Sequence, residues 1–200
     1  MTEIKDYMLE AAQLFARMDS AYEAVAVRLG FNCQGCEDNC CRSLFFHHTL
    51  VEYFWLQSGF ASLPDAQQDQ IRHQAAQVMA QPTESEGPVA DDGERPMCPL
   101  NTNDRCGLYA HRPMICRLHG IPHELHHPGG RIQTGPGCDA LYRCSREESA
   151  DRVRLDRTPW YTALAQLERQ LRDRTGYGAK IKMTIAEMIL EEPQGLEISI

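Results

Sequence analysis

The chain has 200 residues, 42% hydrophobic and 24% charged, the composition of one ordinary globular domain whose core needs no covalent staples to fold. Its net charge of −8 argues against a broad nucleic-acid footprint. No stretch approaches a membrane span, and Met1-Thr2-Glu3-Ile4-Lys5-Asp6 lacks a basic region leading into an apolar run, so a cytoplasmic protein without a membrane or nucleic-acid partner is expected.

Residues 3–29 place Ile4, Met8, Ala11, Phe15, Met18, Tyr22, Val25 and Leu29 at steps of three or four, which predicts an amphipathic helix stopped by Gly30. Cys33, Cys36, Cys40 and Cys41 then fall within nine residues, with Gly35 and Asn39 suited to tight turns. Ser43–Phe46 reads as a short strand. Thr49 and Glu52 form a capping box opening a helix to about Ser58, stopped by Gly59. A second helix runs from about Ser62 to Ala80 with Pro64 in its first turn, and 81–96 reads as a loop.

Cys98, Cys106, Cys116 and Cys138 make a second cysteine group. The stretch Arg117–Leu125, the turn His126-His127-Pro128-Gly129-Gly130 and Arg131–Thr134 predict a hairpin. Ser145–Glu148 is a further capping box. Thr158-Pro159 starts a helix through about Arg174, closed by Gly176, and Thr184–Glu187 opens a last short helix.

Cysteine clusters in a reducing compartment bind metal more often than they form disulfides. The odd total of nine cysteines and the adjacency of Cys40 and Cys41 also argue against a disulfide framework. Cys33-x-x-Cys36 brings two sulfurs within reach of one ion. The intervals of seven and nine residues from Cys98 to Cys106 and from Cys106 to Cys116 exceed a knuckle, so those thiols arrive from separate loops. Arg42, Arg105, Arg112, Arg117 and Arg143 lie beside cysteines, where guanidinium groups offset the charge of a thiolate-bound metal. His47, His48, His119, His123, His126 and His127 lie near the cysteine regions. His119 and His123 share one face if they stand on a strand, and of His47 and His48 one faces solvent.

The pattern C-x-x-C-x-x-x-C-C, followed by Cys98-Pro99-Leu100, Arg105-Cys106-Gly107-Leu108-Tyr109, Arg112-Pro113-x-x-Cys116-Arg117 and a last cysteine, resembles the YkgJ-type cysteine-cluster family over roughly residues 30–140. The resemblance implies a zinc- or iron-chelating domain, with Cys33, Cys36, Cys40, Cys41, Cys98, Cys106, Cys116 and Cys138 as metal ligands. Cys144 has no counterpart. A related cluster in the longer flagellin lysine methylases implies an enzymatic alternative. The chain has no glycine-rich loop in a strand–turn–helix context to hold a nucleotide-like cofactor, so that activity is not carried over.

The expectation is therefore a mainly α single domain with irregular cysteine-rich loops and little β structure, built around a metal centre. It comprises an N-terminal helix at 1–30, a cysteine-cluster metal-binding unit at 31–144 and a C-terminal helical extension at 145–200. The cofactor is zinc or an iron–sulfur cluster. The dispersed second group favours the cluster, being unlike the paired repeats of zinc ribbons. The sequence leaves two other readings open: an iron–sulfur-dependent redox or group-transfer enzyme, and a metal-stabilised adaptor docking a protein partner through 3–29 or 158–174.

Overall fold

The computed structural model describes residues 2–32, 40–81, 96–144 and 153–196. Helix α1 (Thr2–Arg28) buries Ala11, Leu14, Phe15, Met18, Val25 and Ala26 along one stripe. Its end is a Schellman turn: Gly30 takes φ +63°, Gly30 N donates to Val27 O and Phe31 N to Ala26 O. Phe31 is buried, which fixes the direction in which the chain leaves the helix.

Helix α2 (Leu50–Ala61) buries residues almost all round, among them Leu50, Val51, Phe54, Leu56 and Phe60, because it lies at the centre of the molecule. It continues through Gly59 instead of stopping at Ser58. Gly59 is set by packing: a Cβ there would stand 2.3 Å from Cγ of His111. Helix α3 (Asp65–Met79) follows Pro64.

The expected strand over Ser43–Phe46 does not form. Cys40–Arg42 is a 3-10 turn, and His47 bridges Met183 through two backbone hydrogen bonds of 2.7 and 3.0 Å. The pairing stops there because Thr184, one residue on, already caps the last helix.

Strands β1 (Asn101–Thr102) and β2 (Arg105–Cys106) form a ribbon whose turn residues, Asn103 and Asp104, both have positive φ, as a tight two-residue hairpin requires. A 3-10 turn (Tyr109–His111) leads to helix α4 (Met114–Leu118). The predicted hairpin is present, but its first strand begins at His123: β3 (His123–His126) pairs antiparallel with β4 (Ile132–Gly135). Arg117 and Leu118 belong to α4, and His119 precedes the strand, so His119 and His123 do not share a strand face. Helix α5 (Asp139–Cys144) was not expected. The box at Ser145–Glu148 and most of the 81–96 loop lie outside the described residues.

Strand β5 (Leu155–Asp156) joins β3 in parallel and leads into helix α6 (Thr158–Thr175), which Gly176 ends at φ +70°. Helix α7 (Ile185–Leu190) has a full capping box between Thr184 and Glu187. The protein is thus mainly α, with short β elements. One continuous apolar cluster joins α1, α2, α4, α6 and α7, so both terminal helical segments share a core with the middle of the chain. No helix among the described residues is long and apolar enough to cross a membrane.

Candidate metal centre

Three chain segments bring five of the predicted cysteines together. The 3-10 turn presents Cys40 and Cys41. The segment before β1 lies against it through a 2.9 Å hydrogen bond from Cys98 N to Cys41 O. Asn101 N then closes onto Cys98 O at 2.9 Å, and the β1–β2 register sets Cys106 opposite Asn101. Gly107 N bonds Leu100 O at 2.7 Å, which closes the ribbon. Helix α4 supplies Cys116.

These thiols act on one another electrostatically. Hydrogen bonds from Cys40 and from Cys98 hold Cys41 well below the ordinary thiol range, with the Asn101 amide and the Arg112 guanidinium adding to the effect. The donors move the other way. Cys40 is pushed up by its bond to Cys41, by burial and by the nearby Cys116. Cys98 is pushed up by its bond to Cys41 and by burial. Burial also raises Cys106 and Cys116, which lie within each other's field. Among the described residues, Cys40, Cys98, Cys106 and Cys116 form no disulfide.

Cys138 immediately precedes α5. Its N–H donates to Gly120 O at 3.1 Å, and its Sγ would lie 3.6 Å from a Cβ on Gly120. Tyr22 of α1 and Phe31 border the same spot. Cys33 and Cys36 lie outside the described residues. Among the described residues no three His, Cys, Asp or Glu side chains converge closely enough to hold an ion. The soft, mutually interacting thiols and adjacent guanidinium nevertheless form a donor set suited to zinc or iron–sulfur.

The structure separates the five neighbouring arginines. Arg42, Arg105 and Arg143 are exposed. Arg112 and Arg117 are anchored by Asp19 of α1, at 3.6 and 2.5 Å. Arg117 is only 3% exposed, lies over the Phe15 ring and donates to the carbonyls of Ala110 and Arg112. Arg112 donates to Cys116 O at 3.4 Å and stacks on Tyr109. The charge of Arg112 favours the thiolate form of Cys40, Cys41, Cys106 and Cys116.

His48 is exposed, with Nδ1 3.1 Å from Ile181 O, while His47 is buried, so one of the pair does face solvent. His47 Nδ1 stands 3.7 Å from Oε1 of Glu52. Glu52 does not complete its capping box. Thr49 Oγ1 accepts from Glu52 N, but the carboxylate turns to Met114 N, the first residue of α4. Sequence periodicity carries no signal for that contact, because its partners are 62 residues apart. His111, stacked on Trp55 with ring centroids 4.7 Å apart, pins the loop between Cys106 and Cys116 to α2.

Residues 32–127 match the family model CxxCxxCC, described as "Putative zinc- or iron-chelating domain". The match takes in the cysteines from Cys33 to Cys116 and ends before Cys138. No curated protein and no solved structure matches the chain.

Proposed function

From the premise that residues 32–127 belong to the CxxCxxCC family of zinc- or iron-chelating domains, we propose that the protein binds metal through a thiolate centre, with an iron–sulfur cluster as the favoured occupant and zinc as the alternative. The observation supporting this is the single electrostatic neighbourhood shared by Cys40, Cys41, Cys98, Cys106 and Cys116, which reach it from three separate segments. Cys33, Cys36 and Cys138 complete the proposed ligand set. The delivery of these thiols from separate segments is unlike a zinc ribbon.

Cys40, Cys41, Cys98, Cys106 and Cys116 would hold the metal from three segments, and an iron–sulfur cluster bound there would supply one-electron redox capacity. The surrounding residues have separate tasks. Arg112 offsets thiolate charge, and Asp19 holds Arg112 in place. Tyr109 stacks on the Arg112 guanidinium, and Leu108 is buried beside it in the chain. The proposed metal-binding unit spans 31–144, with 1–30 and 145–200 as helical extensions completing its core, in a reducing cytoplasm that keeps the thiols available.

The test is anaerobic purification of the full chain, followed by an absorption spectrum and elemental analysis of one sample. A broad band near about 400 nm with iron and acid-labile sulfide establishes the cluster. A colourless protein carrying zinc selects the alternative. Intact thiols with neither metal overturn the proposal.

A further inference from the structure

The geometry points to Glu52 as a positioning residue of the thiol centre, fixing Cys116 relative to Cys40 and Cys41; this rests on the metal-binding reading above. Helix α4 has five residues, too few to be stable by itself, and its N-cap is Pro113, whose side chain makes no capping bond. The missing cap comes from Glu52. Its Oε1 accepts Met114 N at 3.1 Å, two residues before Cys116, and its Oε2 accepts Thr49 Oγ1 at 2.8 Å.

Glu52 is 4% exposed, and such a buried carboxylate persists only where donors surround it. On its other flank His47 is 2% exposed and clamped to Met183 by two backbone hydrogen bonds. The stretch that begins with Cys40 and Cys41 is therefore anchored at His47, Thr49 and Glu52, and Glu52 reaches from that anchor to the start of the helix bearing Cys116. The N-terminus of α2 itself does not depend on this reach. Glu52 N is satisfied by Thr49 Oγ1, and Val51 N by Glu168 of α6 at 3.1 Å.

The cap of α2 and the link to α4 can thus be broken separately. Thr49→Ala removes the α2 cap and keeps the Met114 contact. Glu52→Ala removes the Met114 contact and leaves Thr49 Oγ1 as the acceptor for the backbone N–H of residue 52, and Glu52→Gln keeps an acceptor for Met114 N. The first readout is alkylation of Cys116 by N-ethylmaleimide, followed residue by residue by mass spectrometry on the reduced, metal-stripped full chain. The second is the rate of metal release to a chelator from the protein as isolated.

Glu52→Ala is expected to label Cys116 at least tenfold faster and to release metal faster. Thr49→Ala and Glu52→Gln should stay close to wild type in both. If Glu52→Ala does not fold, Glu52→Asp decides, its carboxylate being one methylene too short to hold Met114 N: faster Cys116 labelling than in Thr49→Ala supports the inference, and labelling at the wild-type rate overturns it. Unchanged Cys116 labelling in folded Glu52→Ala also overturns it. Wild-type protein without metal overturns the metal-binding reading alone, because the labelling still reports where Cys116 stands.

Discussion

Single side chains set the limits of this structure in two places. At Gly59 the His111 ring occupies the space a side chain would take. Gly59→Ala is therefore expected to destabilise the protein by about 1–3 kcal/mol through overpacking, despite its higher helix propensity, and urea denaturation measures this. At His123 burial, followed by the Arg157 guanidinium, drives the ring pKa down to about 4. The unfolded chain gains a proton near pH 6.5 that the folded chain refuses until about pH 4, so this residue contributes a loss of stability as pH falls through that window. Thermal melts across it should show His123→Gln losing less stability than wild type, by roughly 1–3 kcal/mol at the acid end. A wild-type slope in the variant would contradict the assignment.

Among the described secondary-structure elements, those that carry cysteines are all short. The ribbon β1–β2 is two residues per strand and relies on its turn, where Asp104 adopts φ +61°. Asp104→Gly should relieve that conformation and stabilise the protein by up to about 1 kcal/mol, read as a rise in melting temperature. The capping box of α7 gives the opposite case. Thr184→Ala leaves Glu187 N without its side-chain acceptor, with an expected loss of about 1 kcal/mol in chemical denaturation. The ribbon and α4 gain their stability from contacts made outside themselves. The long helices α1 and α6 bury continuous apolar stripes, Leu164, Leu167 and Leu171 in the case of α6.

At the scale of the whole molecule, thiol chemistry and folding are coupled. Cys40, Cys98 and Cys116 hold their protons more tightly than ordinary thiols, so metal must displace those protons. Apparent metal affinity is expected to fall as pH falls, by about tenfold per pH unit for each thiol that must ionise, as competition titrations with a chelator between pH 7 and pH 8.5 would show. Cys41→Ser and Cys116→Ser should each lower bound metal and the melting temperature, and full metal content in both variants would count against the proposed ligand set. Helix α1 belongs to the same unit. Phe15 and Met18 are almost wholly buried, and Asp19 anchors Arg112 and Arg117 beside Cys116.

Helix α1, the Gly30 stop, α6 with its Gly176 stop, the α7 cap and the β3–β4 turn were all legible in the sequence. Each is specified by residues within a few positions of one another, through periodic burial or a local hydrogen bond. The cysteine spacing likewise identified the thiol groups, because dense sulfur is a compositional signal. Tertiary structure decided what depends on partners distant in the chain. Gly59, a stop signal by its local pattern, lies inside a helix because His111 needs its space. Glu52, an intrahelical cap by its spacing, serves α4. Four other thiols share the surroundings of Cys41, and Arg112 and Arg117 are selected from five candidate arginines by an aspartate on α1. Spacing records how far apart residues are along the chain, whereas side-chain volume and the pairing of buried polar groups are settled only when the segments pack.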